Sequence, residues 1–252
     1  MKLEGKKILI TGGASGIGLE LARRLAATND VAIAGRSTDK LQAAHGDNPR
    51  LTPVQLDVTS EDSAVAVIEW LRSDFGGLDL LVNSAGYMSG GDLGAPCAAT
   101  ASANELDTNL AGPIRMTRLA LPLLHESSEA GIVYISSAVA LAAVPKLSVY
   151  AAAKAGLHSF ARSTRAGLAG SNIRVFEVLP PAVDTDLASQ IEGRKIAPSA
   201  VVDAIVRGIG RNRQQIAIAA VRALVPLTRF APRVADRIVQ NAVRPPSPTK
   251  HS

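Results

Sequence analysis

The chain has 252 residues, of which 47% are hydrophobic and 19% charged, a composition typical of a globular protein rather than a disordered one. Aromatic residues make up only 3%, which disfavours a protein that stacks the bases of single-stranded nucleic acid. The single Cys97 excludes an intramolecular disulfide bond, and no apolar run approaches the length of a membrane span. The N-terminus runs straight into an apolar strand without a signal peptide, so a cytoplasmic protein is expected.

The net charge of +5 is concentrated near the C-terminus. From Arg207 to Ser252 there are nine lysines and arginines, and Asp236 is the one acidic residue. The preceding part of the chain is therefore slightly acidic, and the basic character belongs to the C-terminal segment.

Short apolar runs alternate with segments of helical periodicity along most of the chain. The predicted strands are Lys7–Thr11, Val31–Gly35, Leu51–Leu56, Leu78–Val82, Gly131–Ser136, Ile173–Leu179 and Ile216–Ala219. The predicted helices are Ile17–Ala27, Glu61–Ser73, Ala98–Leu124 with a kink or boundary at Pro113, Val149–Ala169 and Val201–Ile209. This alternation predicts an α/β fold, a Rossmann-type doubly wound parallel sheet in three layers, within a single domain from 1 to 243.

A glycine-rich loop links the first strand to the first helix. Gly12, Gly16 and Gly18 leave backbone N–H groups and a helix N-terminus pointing at one spot, which favours binding of a pyrophosphate. We expect Ser15 and Ile17 of the same loop to contact this group. The alternative is a tight strand–helix turn without a ligand.

The second predicted strand ends where the adenosine ribose of a dinucleotide would lie. Arg36 follows this strand, and no carboxylate is present there to accept from the 2′-hydroxyl of NAD. A guanidinium group can instead make a bidentate contact with the 2′-phosphate of NADP. The sequence therefore predicts NADP(H) in preference to NAD(H). The alternative is an ordinary exposed arginine on the surface.

A hydroxyl, a phenol and an ammonium group come together in the middle of the chain. Tyr150 and Lys154 are four residues apart on one face of a predicted helix, and Ser137 lies at the end of the preceding strand. A nearby positive charge favours phenolate, so we expect Lys154 to lower the pKa of Tyr150 and make it a usable acid/base. The alternative is an ordinary tyrosine and lysine on a surface helix.

From Lys6 to about Leu187 the chain resembles the short-chain dehydrogenase/reductase family, in its single-domain branch. The matching motifs are Thr11-Gly-Gly-Ala-Ser-Gly-Ile-Gly18, Leu56-Asp57-Val58, Asn83-Ser-Ala-Gly86, Asn109, Ser137, Tyr150-x-x-x-Lys154 and Pro180-x-x-x-x-Thr185. Within the family, the overall sequence pattern is most similar to that of the DltE-like oxidoreductases. It departs from the common pattern at Ser84 and at Pro181, neither of which removes a catalytic group.

The resemblance implies a role for each catalytic residue. Tyr150 would exchange a proton with the substrate oxygen, and Lys154 would lower its pKa and bind the nicotinamide ribose. Ser137 would polarise the carbonyl group. Asn109 would hold a water that connects Lys154 to solvent; the alternative is that it satisfies local backbone groups.

The resemblance also implies contacts to the cofactor. Asp57 and Val58 would lie at the adenine, Asn83, Ala85 and Gly86 would pass under the adenosine ribose, and Val183 and Thr185 would lie at the nicotinamide. Asp57 and Asn83 have simpler explanations as a turn residue and a strand-end residue.

Two segments are expected to enclose the substrate, and neither names it. Residues 184–197 follow Thr185 and would form a lid, in which Arg194 and Lys195 would meet an acidic substrate or remain solvated. The glycine-rich segment Tyr87–Ala99 would form another wall. The resemblance further implies a homodimer or homotetramer, with Ala98–Leu124 and Val149–Ala169 at one interface.

The basic segment Val221–Val243 places arginines among apolar residues. Such a stretch can lie on an anionic membrane surface, but packing against its own domain or a partner subunit is the favoured interpretation. Pro226 and Pro232 argue against one unbroken helix. The proline-rich residues 244–252 are expected to form a disordered tail.

The sequence thus predicts an NADP(H)-dependent oxidoreductase that interconverts a carbonyl and an alcohol, with no metal and no nucleic acid. The alternative is a catalytically idle NADP(H)-binding protein that acts through its basic segment on a membrane or partner. The intact set of Ser137, Tyr150 and Lys154 argues against it. An epimerase or dehydratase is disfavoured by the short single domain.

Overall fold

The computed structural model describes residues 1–89 and 98–243. Within these ranges one parallel sheet has seven strands in the order β3-β2-β1-β4-β5-β6-β7. The strands are β1 (Lys7–Thr11), β2 (Asp30–Gly35), β3 (Leu51–Gln55), β4 (Leu80–Asn83), β5 (Ala130–Ile135), β6 (Ile173–Leu179) and β7 (Gln215–Ala217). The helices are α1 (Gly16–Leu25), α2 (Thr38–Asp47), α3 (Glu61–Ser73), α4 (Ala98–Leu106), α5 (Gly112–Glu126), α6 (Ser148–Gly167), α7 (Pro198–Gly210), α8 (Val221–Phe230) and α9 (Pro232–Ala242).

Both faces of the sheet are covered, as the unbroken apolar runs of the strands predict. Ile8, Leu9 and Ile10 of β1 are all fully buried, although their side chains point to alternate faces. One apolar cluster packs α1 and α7 on one face, and a second packs α3, α5 and α6 on the other. The predicted three-layer, doubly wound architecture is confirmed.

The strand order reverses between β1 and β4. The chain builds outward from β1 to β3 at one edge, then returns to place β4 on the other side of β1. Connections that leave β1 and β4 in opposite directions open a crevice at the carboxyl ends of these strands. Both the glycine loop and Asn83 lie at this point.

One helix was absent from the sequence prediction. Residues 38–47 form α2, whose first turn is capped because the Ser37 hydroxyl accepts a hydrogen bond from the Lys40 N–H. Only Leu41 and Ala44 of this helix are buried, so its apolar periodicity is too weak to detect from sequence.

The predicted helix Ala98–Leu124 is interrupted rather than kinked. A π-helical turn at Asp107–Ala111 separates α4 from α5, and Pro113 lies in the first turn of α5. Proline is tolerated there because the first helical N–H groups have no partner within the helix. A π turn adds a residue to the helix, and such turns occur frequently at functional sites.

The basic C-terminal segment forms two helices rather than one, as its prolines predict. The chain leaves helical geometry at Ala231, and Pro232 begins α9. Both helices pack on a third apolar cluster that also contains Val139, Leu147 and Ile191. The tail prediction for 244–252 lies outside the described residues. No helix in the described ranges combines the length and apolarity required to cross a bilayer.

Candidate active site

The glycine loop forms an anion cradle between β1 and α1. Gly12 and Gly16 have positive φ angles of 66° and 52°, a region that side chains other than glycine rarely adopt. Ser15 precedes α1 in extended geometry, and its side chain makes no capping hydrogen bond. The first N–H groups of α1 are therefore available to an anionic ligand.

Close backbone contacts explain why the loop needs glycine. A Cβ atom at Gly12 would lie 2.8 Å from the Cα of Ala85, and one at Gly18 would collide with the carbonyl oxygen of Gly12. The buried Thr11 hydroxyl accepts hydrogen bonds from the N–H groups of Ser84 and Ala85, both at 3.1 Å. Thr11 thus ties the loop to the segment after β4, a role that sequence reasoning missed.

Asn83 lies at the same crevice as the glycine loop. It is only 3% exposed at the end of β4, and its Nδ2 atom is buried without a hydrogen-bond partner among the described residues. A buried N–H group left unpaired is costly, which indicates that a ligand or water accepts from it. Together with the Gly12 cradle, this unpaired donor fits a dinucleotide bound at the crevice.

Arg36, Asp57 and Val58 lie beyond β2 and β3, on the predicted adenine side. Asp57 Oδ1 accepts from both the N–H and the hydroxyl of Thr59, so the turn explanation for this residue holds. Burial opposes ionisation, but the Thr59 hydrogen bonds and the charges of Arg36 and Arg115 outweigh it and lower the Asp57 pKa. Arg36 is exposed and close enough to Asp57 to act on it electrostatically, and Val58 is buried.

Ser137 is held at the mouth of the crevice by its local backbone. It follows β5 in extended geometry, and its hydroxyl accepts from the Val139 N–H at 3.3 Å. The next N–H, of Ala138, donates to the carbonyl of Pro180 at 2.9 Å, which joins the ends of β5 and β6. The Ser137 hydroxyl can still donate its proton to a substrate oxygen.

Tyr150 and Lys154 lie one turn apart on α6, facing Ser137. The Lys154 Nζ atom donates to the carbonyl of Ile135 at 2.9 Å and lies 5.6 Å from the centre of the Tyr150 ring. Both residues are buried, with Lys154 only 4% exposed. They line the same cavity of about 200 Å³ as Ser137, Gly12 and Gly16.

The electrostatics of this pair correct one expectation. Burial raises the pKa of the Tyr150 phenol, and the negative charge of Glu105 raises it further. Burial also lowers the pKa of the Lys154 ammonium to about 8. The predicted lowering of the Tyr150 pKa by Lys154 is not found in the protein alone, because the loss of water dominates both groups.

Asn109 is buried in the π turn that precedes α5. Its Nδ2 atom donates to the carbonyls of Tyr87 and Glu105, and its Oδ1 atom accepts from the Tyr87 N–H. Asn109 therefore fastens the segment after β4 to the helical layer, which supports the structural explanation. A water held by Asn109 remains a prediction.

Residues between Val183 and Ile191 form the outer wall of the cavity. Val183 is buried and pairs with Ile196 in an isolated bridge, while Thr185 lies beside Gly16. Arg194 is exposed, and neither it nor Lys195 is among the residues that line the cavity. Much of the cavity wall is apolar. Its apolar side chains belong to Met88, Val139, Leu147, Leu187, Ala188, Ile191 and Val243. Of the other predicted wall, residues 90–97 lie outside the described ranges.

The chain is similar to known oxidoreductases. Residues 6–195 match the family model described as short chain dehydrogenase. The uncharacterized oxidoreductase DltE of Bacillus subtilis is 33% identical over 237 residues, which cover 91% of this chain and 94% of the relative. The 3-oxoacyl-[acyl-carrier-protein] reductase FabG of Thermotoga maritima is 33% identical over 76% of this chain and 79% of its own.

A solved structure shares the fold. The short chain dehydrogenase from Burkholderia cenocepacia, determined in complex with NADP, superposes with a TM-score of 0.84. It covers 95% of this chain and 99% of its own, at 24% sequence identity.

Proposed function

The chain belongs to the short-chain dehydrogenase family, and we propose that it is an NADP(H)-dependent oxidoreductase that interconverts a carbonyl and an alcohol. One observation carries this proposal: Ser137, Tyr150 and Lys154 line the same cavity as the glycine loop. A proton donor, a hydroxyl that can polarise a carbonyl and a dinucleotide cradle are the parts that carbonyl reduction requires. The bound nicotinamide would supply or accept the hydride.

The chain's own residues would hold the cofactor along the crevice. The loop from Gly12 to Gly18 and the N-terminus of α1 would bind the pyrophosphate. The Asn83 amide, whose Nδ2 atom has no partner among the described residues, would donate to the cofactor. Val183 and Thr185 line the same cavity as Tyr150 and would lie beside the nicotinamide. The backbone of Ala85 and Gly86 approaches without bulky side chains, which leaves room for a ribose.

Proton transfer would pass through Tyr150. In the reduction direction its hydroxyl gives a proton to the substrate oxygen, while Ser137 donates a hydrogen bond to the same oxygen. The raised pKa of Tyr150 keeps the phenol protonated, which is the form that donates. Lys154 places a positive charge beside the phenolate that forms, and so favours the transfer.

Preference for NADP(H) would come from Arg36. Its guanidinium group is exposed beyond the end of β2, and the neighbouring carboxylate, Asp57, is already engaged by Thr59. A guanidinium attracts a 2′-phosphate, whereas the two residues directly after β2, Arg36 and Ser37, offer no carboxylate to accept from a 2′-hydroxyl. The complex of the Burkholderia relative with NADP is consistent with this choice.

The apolar cavity wall favours a carbonyl compound with an aliphatic or other apolar body. Met88, Leu147 and Ile191 line the cavity and belong to the same apolar cluster as Tyr150. Among the described residues, the only charged side chains that line the cavity are Lys154 and Asp186. We also propose assembly as a homodimer or homotetramer through α4, α5 and α6. Leu106 of α4, which is 41% exposed, would be covered in such an assembly.

Tyr150→Phe is the decisive variant, with Tyr134→Phe as its matched control. Tyr134 is buried on β5, where its hydroxyl bonds to Thr117, and it does not line the cavity. Reduction of a ketone and aldehyde panel with NADPH should fall by at least about 100-fold in Tyr150→Phe. NADPH affinity should remain within a few-fold of that of the original chain.

The control should keep its turnover and lose about 1 kcal/mol of stability, because one buried hydrogen bond is removed. Full turnover by Tyr150→Phe would exclude Tyr150 as the acid/base. An equal loss of turnover in both variants would show that the effect reflects damaged packing rather than missing proton transfer.

A further inference from the structure

The helices α8 and α9 cover the domain with one face and leave the opposite face exposed. Val221 and Leu224 of α8, with Ala235 and Val239 of α9, are buried in the third apolar cluster. The outer face comprises Arg222, Arg229, Phe230, Arg233, Val234, Arg237 and Ile238, all of which are exposed, and is called the C-terminal surface below.

Apolar side chains are concentrated on this surface. Five large hydrophobic residues of the described ranges are exposed, and three of them belong to the C-terminal surface. Phe230 is 81% exposed at the end of α8, and Val234 and Ile238 are each 48% exposed one turn apart on α9. Apolar side chains grouped in this way on a monomer mark an interaction site rather than ordinary surface.

The arginines of the same surface are not neutralised by the domain. Arg222, Arg229, Arg233 and Arg237 make no ion pair with any residue in the described ranges. Asp236, the one acidic residue between Arg207 and Ser252, accepts a hydrogen bond from the Ala143 N–H on the inner side. The C-terminal surface thus carries four positive charges around its apolar side chains.

A cleft lined by arginines adjoins this surface at the start of α8. It lies between the end of α7, the edge strand β7 and α8, and has a volume of about 380 Å³. Arg207, Arg211, Arg213 and Arg222 line it, and none of the described residues that line it is acidic. A guanidinium group binds phosphate through paired N–H donors, so this cleft suits a phosphodiester.

We propose that the C-terminal surface docks on a bilayer containing anionic phospholipids. Phe230, Val234 and Ile238 enter the interface between headgroups and acyl chains, and the arginines bind lipid phosphates. This arrangement satisfies both the apolar side chains and the unpaired charges, which an uncharged or purely acidic partner surface does not. Because Val243, just after α9, lines the catalytic cavity, docking places a substrate from the lipid phase close to its entrance.

Vesicle sedimentation of the full chain tests the proposal without reference to catalysis. The protein should pellet with vesicles of phosphatidylcholine containing roughly a third phosphatidylglycerol, and stay in solution with phosphatidylcholine alone. Arg229→Gln, Arg233→Gln and Arg237→Gln combined should lower the partition coefficient on the order of 100-fold, at about five-fold per arginine. Raising the ionic strength should reduce binding of the unmodified chain.

A matched control removes the same charge elsewhere. Lys2, Arg23 and Arg50 are exposed residues outside both the C-terminal surface and the proposed subunit interface, and their combined replacement by Gln should lower binding much less. Equal losses in the two triple variants would show nonspecific attraction and overturn the proposal. Failure of the unmodified chain to prefer anionic vesicles would overturn it as well.

Phe230→Ser separates the bilayer from other occupants. The side chain is 81% exposed, so folding should be unaffected and vesicle binding should fall several-fold. If the variant instead alters the sedimentation coefficient of the free protein while vesicle binding is unchanged, the surface is a subunit interface and the proposal is wrong. Tight binding of inorganic phosphate that is lost on replacing Arg211 and Arg213 by Gln, without vesicle binding, would assign the cleft to a free anion and contradict the proposal.

Discussion

Arg36→Gln should convert the NADP(H) preference into near indifference between the two dinucleotides. Arg36 is exposed beyond β2, and its charge contributes to the lowered pKa of Asp57, so it lies beside the predicted ribose site. Glutamine retains most of the side-chain length and removes the charge. The variant therefore loses the contact to the 2′-phosphate while the fold around β2 stays intact.

The size of the effect follows from the kind of contact and its exposure. A hydrogen bond to a charged group contributes about 1.5–3 kcal/mol. At 1.4 kcal/mol for each factor of ten, this range corresponds to about a 10- to 150-fold loss in NADPH affinity. Because Arg36 is exposed and screened by solvent, we expect the lower part of this range, a loss of NADPH affinity of roughly 10- to 30-fold. NADH affinity should change by less than about three-fold.

Fluorescence titration with NADPH and NADH measures both affinities directly, without a known substrate. Arg23→Gln is the matched control, since Arg23 is an exposed arginine of α1 that pairs with Asp47. It should leave both affinities unchanged. Equal losses of NADPH and NADH in Arg36→Gln would refute the assignment of Arg36 to the 2′-phosphate, as would an NADPH affinity that does not change.

Two further variants test the loop and the buried lysine. Gly12→Ala should destabilise the fold by at least about 1–2 kcal/mol and abolish dinucleotide binding, because φ is +66° and the new Cβ would lie 2.8 Å from Ala85. In contrast, Gly46→Ala in α2 meets no atom within 4 Å and should stabilise the protein slightly; equal effects in urea melts would contradict the close-contact argument. Burial lowers the pKa of Lys154 to about 8 in the folded protein. Between about pH 8 and 10 the unfolded chain therefore binds more protons than the folded protein, and the contribution of Lys154 to stability should rise with pH in this range. Urea melts of Lys154→Met should lack this rise, and an identical pH dependence in both proteins would exclude burial as the cause of the shift.

The elements that carry the site were predictable because their residues are adjacent in sequence. The strand–glycine–helix order around Gly12 and the four-residue spacing of Tyr150 and Lys154 are local features that short-range geometry determines. The apolar runs of the strands likewise require a sheet buried on both faces, which leads to the Rossmann architecture. The missed helix α2 shows the limit, since it buries only Leu41 and Ala44.

The pKa values of buried groups and the hydrogen bonds between distant segments could not be predicted from local sequence patterns. The Tyr150 pKa depends on how much water the tertiary structure removes and on the distance to Glu105, and neither quantity is encoded by local spacing. The Thr11 hydroxyl finds the Ser84 and Ala85 N–H groups only after β1 and β4 have paired.

The sequence by itself determined which groups the proposed chemistry uses. They are a glycine loop, a basic residue after the second strand, and a serine, tyrosine and lysine in family order. Only the tertiary structure decided that the glycine loop, Ser137, Tyr150 and Lys154 share one cavity, and that Met88, Leu147 and Ile191 give it an apolar wall. It also decided that the arginines of the C-terminal surface make no ion pair within the described residues. The physical reason is that catalytic motifs are set by bonds and helical repeats, whereas burial and unpaired charge depend on which distant segments pack together.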